Sequence, residues 1–258
     1  MIRSSFGAFA AFLFLLCVRV AQAGQGTIAV EARLSSDRLG HIEAGRYLAG
    51  DSVGFLLADD GPDYLLQFDG SPEIFVLHAN SAALGGHVLQ YDSGETALQV
   101  SGWGGVTLYT DSYPAGLPAI RTGDTNTPAP PVATVADVQN AAEEDTQHWA
   151  FAQRLNLAVS ADWNAIADDA AACTVALQAM DNVARGLDRF ESSAPAHRAQ
   201  MRRVSQISLE MAGRPAVALN GKRLIVTFDP SRGYDGRASS RAIAQALRAL
   251  LSIPQKPS

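Results

Sequence analysis

The sequence predicts an α+β protein: an N-terminal antiparallel β-meander or small barrel, followed by a C-terminal helical bundle carrying one β-hairpin. Three observations predict it. Short β-favouring runs punctuated by Gly, Asp and Pro turn clusters, at intervals of roughly 8 to 12 residues, fill residues 27–110. Apolar residues at helical spacing dominate after residue 134. A proline-containing stretch separates the two halves. The organisation expected is a signal peptide over 1–23, a β-rich domain over 24–110, a Pro-rich linker over 111–133 and a mainly helical domain over 134–258, with its hairpin at 217–228.

The first 23 residues read as an export signal. Arg3 supplies the positive start, residues 6–18 are almost wholly apolar, and Ala21 and Ala23 put small side chains where a signal peptidase needs them. About 20 apolar residues are needed to cross ~30 Å of hydrocarbon, and this run is shorter. Leu16 before Cys17 does not suit lipid attachment. Cleavage after Ala23 is therefore expected, with a periplasmic or secreted mature protein that lacks a transmembrane segment. Only Cys173 then remains, so no internal disulfide is available and stability must come from a packed core.

Along the β half, Asp59-Asp60-Gly61-Pro62-Asp63, Asp69-Gly70-Ser71-Pro72, Asp92-Ser93-Gly94-Glu95 and Gly102-Trp103-Gly104-Gly105 mark turns. Between them lie β-favouring runs over 52–58, 64–68, 73–79, 87–91, 96–100 and 106–110. Closing such a meander into a barrel removes its exposed edges. Pro114, Pro118, Pro128, Pro130 and Pro131 then argue for an extended connector.

In the second half Thr134 and Asp137 form a capping box for a helix burying Val138, Ala142, Trp149, Ala152 and Leu155. Ile166, Ala170, Cys173, Leu177, Met180, Ala184 and Leu187 recur in steps of four and three, which predicts one long helix. A third helix is expected over 195–213, with Val204, Ile207 and Met211 on its apolar face. Asn220-Gly221 suits a two-residue hairpin turn, and Ser239 or Ser240 caps a last helix through Leu251.

Charge divides the chain. Its net value is −6, yet residues 24–183 hold 5 basic and 21 acidic side chains, whereas residues 184–258 hold 13 basic and 5 acidic. The acidic half would repel phosphate over a screening length of ~8 to 10 Å, which argues against nucleic acid as a partner. Arg185, Arg189, Arg198, Arg202, Arg203 and Arg241 carry the basic half. They either complement acids of the same chain, or of a second copy through self-association, or face an envelope protein or anionic surface.

The chemistry-bearing motifs are weak. Asp92-Ser93-Gly94 matches the short aspartic-protease signature but has no second copy and reads as a turn. Asp59, Asp60 and Asp63 lack the alternate spacing of a calcium loop. The histidines at 41, 78, 87, 148 and 197 form no zinc-helix pair, although His78 and His87 lie on adjacent expected strands. No metal, cofactor or catalytic group is assigned. Trp103, flanked by glycines, either stacks on a ligand from a turn or folds back to plug the barrel. Asp229, Tyr234 and Asp235 sit on the loop between hairpin and last helix and are the ligand-binding candidates there.

Three segments carry a family resemblance: Leu66-Gln67-Phe68-Asp69-Gly70-Ser71-Pro72-Glu73, Gly104-Gly105-Val106-Thr107-Leu108-Tyr109-Thr110, and residues 224–230 followed by Ser239-Ser240-Arg241-Ala242-Ile243-Ala244. Together they resemble an uncharacterised family of exported bacterial proteins classed as a domain of unknown function. The resemblance implies an envelope location and brings no catalytic residues. The function expected is a non-catalytic binding or structural protein of the cell envelope. The alternatives are an envelope-polymer hydrolase working at the 229–235 loop, or a barrel carrying a small apolar ligand.

Overall fold

The computed structural model describes residues 42–252; the expected signal peptide, Cys17 and His41 lie outside them. Eight strands follow one another around a closed barrel: β1 (Gly45–Ala49), β2 (Val53–Asp60), β3 (Asp63–Phe68), β4 (Ile74–Ser81), β5 (His87–Tyr91), β6 (Thr96–Val100), β7 (Val106–Thr110) and β8 (Tyr113–Gly123). Antiparallel pairing of β1 with β8 closes it. Strand side chains alternate between faces. One parity, including Tyr47, Phe55, Leu57, Leu66, Phe75, Leu77, Leu89, Tyr91, Leu98 and Leu108, fills the interior. Tyr47 stacks on Phe55 with 5.2 Å between centroids, and Phe75 meets Tyr91 edge-on at 5.1 Å. None of these buried interior residues lines any of the three clefts described below, which leaves the carrier alternative without support from them. The unbroken apolar run of β4 has a different cause. Ile74 and Val76 point outward with Leu65, where they are covered by Tyr234 of the C-terminal half.

The expected linker is also corrected, because β8 is built from its first half. Proline is tolerated there for a local reason. The Pro118 carbonyl accepts from Gly50 N at 3.0 Å, whereas its missing N–H falls at the rim where β1 ends. Pro114 lies still farther along, where β8 pairs only with β7. The irregular connector is thus confined to residues 124–134.

The C-terminal half contains α1 (Val135–His148), β9 (Ala158–Ala161), α2 (Trp163–Ala167), α3 (Ala170–Ser193), α4 (His197–Met201), β10 (Gln206–Met211), β11 (Ala216–Asn220), β12 (Arg223–Phe228), a 3-10 turn (Pro230–Gly236) and α5 (Ser240–Ser252). Thr134 and Asp137 form the expected capping box. The long apolar stripe is interrupted. Ile166 belongs to α2, and Asp169, in extended conformation, caps a separate α3 by accepting from Ala171 N.

The expected third helix survives only as α4; its second part is strand β10. Ile207 and Leu209 alternate into the core, and β10 runs parallel to both β9 and β12 in a sheet of order β11-β12-β10-β9. The expected helical bundle is therefore a set of helices packed on a small mixed sheet. Met180, Val183, Leu187 and Phe190 of α3, with Ile243, Leu247 and Leu251 of α5, share one core with Ile207, Leu224, Val226 and Phe228. Gly186 lets α3 and α5 approach closely, since a Cβ there would lie 2.6 Å from Ile243 Cγ2.

Candidate functional site

Hairpin turns of a meander alternate between the two ends of a barrel. Turns β1–β2, β3–β4, β5–β6 and β7–β8 therefore share one end, and each brings acid to it: Asp51, Asp69 with Glu73, Asp92 with Glu95, and Asp111. The N-terminus of α5 docks on that end. Its first amides have no intrahelical acceptors, and its dipole favours anions. Asp92 accepts from Ser239 N at 2.7 Å and Ser239 Oγ at 2.5 Å. Glu73, only 3% exposed, accepts from Ser240 N at 2.8 Å and Ser240 Oγ at 2.7 Å. Two barrel carboxylates thus cap a helix of the other half.

Arginines extend the seam. Arg189 donates to Ser240 Oγ at 2.8 Å and pairs with Asp111 at 3.1 Å. Arg241 bridges Glu95 at 2.8 Å and Asp111 at 2.9 Å, with its guanidinium 4.5 Å above the Tyr91 ring centroid. Burial pushes the Tyr91 phenol up to about 12, against the opposing pull of Arg241. Arg237 donates to the Ile74 carbonyl at 3.0 Å and to that of Tyr234; burial lowers its pKa to about 10, with Glu73 opposing. The charge asymmetry of the sequence is spent across this seam, between acidic turns and basic helices.

Beside the network the seam opens into a cleft of about 740 Å³. Glu95, Tyr109 and Asp111 line it from the barrel, Arg189 and Ser193 from α3, and Arg241 and Arg248 from α5. The Arg241 side chain is 10% exposed and held by its acids. Arg248 is exposed and has no ion pair among the described residues. Three guanidinium groups against two carboxylates leave the cleft positive, amid hydroxyls of Thr96, Thr110, Ser192 and Ser193. Two smaller clefts, of about 430 and 530 Å³, contain no arginine or lysine.

One arrangement at the edge of the cleft, where Ser193 lines it, looks nucleophilic. Ser193 Oγ lies 3.0 Å from His197 Nδ1. The same Nδ1 lies 2.7 Å from the Phe190 carbonyl, and a carbonyl oxygen can only accept. Nδ1 therefore carries a proton and cannot take one from Ser193, which itself donates to Phe190 O at 2.8 Å. The pair closes the end of α3 and does not form a base-activated nucleophile.

The residues singled out from sequence fall elsewhere. Asp229 caps the 3-10 turn; its carboxylate accepts from Ser231 Oγ at 2.7 Å and Ser231 N at 3.0 Å, which holds its pKa below the ordinary range. Tyr234 is 8% exposed, packs on the outer face of the barrel and donates to Pro128 O at 3.1 Å. Asp235 pairs with Arg232. These three share one turn that packs at the seam, and none of them lines any of the three clefts. Trp103 is 81% exposed on the β6–β7 turn, which corrects the plug reading. Of the basic set, Arg185 pairs with Asp181, Arg198 with Glu191, and Arg203 donates to Leu251 O, whereas Arg202 is exposed. His78 pairs with Asp63 at 2.9 Å and sits opposite Gln90 rather than His87. Among the described residues no three His, Cys, Asp or Glu side chains gather as a metal site. No described helix is long and apolar enough to cross a membrane.

Fold and site define a class: a two-part α+β protein in which a filled barrel is locked onto a sheet-and-helix layer beside a positive cleft. The chain belongs to the family described as a domain of unknown function (DUF4908), whose model matches residues 29–247 and so runs through both parts. No curated protein and no solved structure matches the chain.

Proposed function

We propose that the protein is an exported, non-catalytic binding protein of the cell envelope that holds a small anionic ligand in the seam cleft. The observation that carries this reading is Arg248, a guanidinium without an ion pair among the described residues, beside Arg189 and Arg241 in a cleft of ligand size within a molecule of net negative charge. Guanidinium forks suit carboxylate and phosphate, and the surrounding hydroxyls suit a hydroxylated anion. Export is supported by the sequence of residues 1–23. Its test is cell fractionation with N-terminal sequencing, where a mature chain starting at Gly24 is expected and an uncleaved cytoplasmic chain refutes it. Binding is tested by calorimetry and thermal shift with glucuronate, citrate and inorganic phosphate. A ligand at 100 times its Kd stabilises by about 2.7 kcal/mol, which for a chain of this size raises Tm by about 5–10 °C. Arg248→Ala should weaken that anion about tenfold and leave the ligand-free Tm unchanged. If no anion moves the wild-type Tm, the cleft reading is wrong.

A further inference from the structure

At the barrel end opposite the seam, two neighbouring turns carry no charge at all. Residues 79–86, at the β4–β5 turn, and 101–105, at the β6–β7 turn, contain no Asp, Glu, Lys or Arg. Each presents one large apolar side chain to solvent: Leu84 is 92% exposed and Trp103 81%. Leu84 also stands in the left-handed conformation, at φ 58° and ψ 33°. Side chains with a Cβ are disfavoured there, and glycine or asparagine is the usual occupant. An exposed leucine at such a position is doubly unfavourable for an isolated fold, which is a mark of a site kept for contact.

The two tips are fused and stiff. A Cβ on Gly102 would lie 2.2 Å from Leu84 O, and one on Gly86 2.6 Å from Val100 O, so only glycine permits this approach. Ala82 N donates to Gly86 O at 2.8 Å, Ser101 N to Gly105 O at 2.8 Å and Gly105 N to Ser101 Oγ at 2.9 Å, which pins both loops. The backbone therefore holds Leu84 and Trp103 outward at adjacent places on one rim.

We infer that Leu84 and Trp103 form a two-pronged anchor that enters the headgroup layer of a zwitterionic bilayer. A stable protein interface needs roughly 1,000 Å² and a complementary shape, and two convex prongs supply neither. Neither residue lines any of the three clefts described above, and Leu84 adds nothing to the stacking of a sugar ring on Trp103. A bilayer interface accepts a convex apolar knob without complementarity, and tryptophan prefers that depth. Asp59, Asp60 and Asp63 on the β2–β3 turn of the same end oppose anionic headgroups, which selects a zwitterionic surface. The inference is independent of the seam cleft.

The test is co-sedimentation of the purified protein with phosphatidylcholine vesicles, compared among wild type, Trp103→Ser, Leu84→Gly and the double variant. These chains differ only at the tips, so any contribution of the N-terminal apolar run cancels. Each single change should lower partitioning about tenfold, a loss matching partial burial of one large apolar side chain. Vesicles should blue-shift the emission of Trp103, a change absent from Trp103→Ser, in which buried Trp149 and half-buried Trp163 remain. Leu84→Gly should raise the lipid-free Tm while losing the membrane, because glycine takes the left-handed backbone freely. Equal partitioning of wild type and double variant overturns the inference, as does tighter binding to vesicles rich in phosphatidylglycerol. Trp103-dependent capture by soluble glycan chains without vesicle binding overturns it in favour of sugar stacking.

Discussion

Replacing Glu73 with glutamine tests whether one buried carboxylate holds the two halves together. Glu73 takes both the backbone and side-chain donors of Ser240, at 2.8 and 2.7 Å, in a site almost closed to water. Glutamine keeps the shape and can still accept from Ser240 N. Its amide group then faces Ser240 Oγ, which already accepts from Arg189 Nε, so the serine proton loses its acceptor. Loss of a cap costs about 1 kcal/mol, and loss of the charge at the helix N-terminus about 0.5–1 kcal/mol more. Buried Arg237 also loses a nearby compensating charge. A total of about 2–3 kcal/mol corresponds to a fall in Tm of roughly 5–10 °C for a chain of this size. Glu95→Gln is the control, since that side chain is 43% exposed and its pair with Arg241 is screened. Urea unfolding of Glu73→Gln, Ser240→Ala and the double variant gives the coupling energy. We expect at least about 1 kcal/mol. Additive single effects, or a Tm within 2 °C of wild type (about the error on such a loss), would refute the capping argument.

Other perturbations separate neighbouring parts of the structure. Burial, then the Asp181 and Asp188 carboxylates, push Asp145 on α1 up to about 6. A raised acid is protonated more readily folded than unfolded, so its penalty is absent below its ordinary pKa and complete above about 6. Asp145→Asn should therefore stabilise by ~1 kcal/mol at pH 8, after discounting for partial exposure, and by nothing near pH 3.5, as read from urea midpoints. Gly186→Ala should cost about 1–3 kcal/mol in unfolding experiments, because its Cβ meets Ile243 on α5. Asp111→Asn should lower stability by less than about 1 kcal/mol, since that carboxylate is 67% exposed, and tighten anion binding up to about fivefold by freeing Arg189. Calorimetry on the same anion checks the second effect.

Much of the barrel was legible because turn chemistry is local. Asp-Gly and Gly-Pro clusters mark where strands must reverse, and the filled interior follows from alternation. The closing strand β8 was hidden by Pro114 and Pro118, whose lost N–H groups matter only if a neighbour is waiting for them. At Pro118 the neighbour has just ended, which local sequence cannot show. Strand β10 was hidden by coincidence: Val204, Ile207 and Met211 mimic helical spacing, while Ile207 and Leu209 alternate as a strand does. A six-residue run does not decide between the two periods, and its pairing with β9 and β12 did.

The cleft was not legible as a unit, because its charges come from residues 95, 111, 189, 241 and 248. Yet a signal for its acidic wall was present. Asp92, read as a turn residue and as a failed protease motif, is a helix cap for Ser239. Two of the three segments that carry the family resemblance, Leu66–Glu73 and the one ending in Ser239–Ala244, meet at the Glu73–Ser240 contact. Counting turns by parity places acid at every odd-numbered turn, hence at one end of any meander that closes. That arrangement makes the charge gradient an internal docking instruction. It leaves Arg185, Arg189, Arg198, Arg203 and Arg241 bonded within the chain, so the anionic-surface reading of the basic half loses most of its free charge. It also divides the barrel by chemistry, with one end consumed in folding and the other free to present Leu84 and Trp103. The membrane contact inferred from these tips must then respond to apolar substitutions and remain nearly indifferent to salt, whereas binding through arginines would weaken steeply as salt screens it.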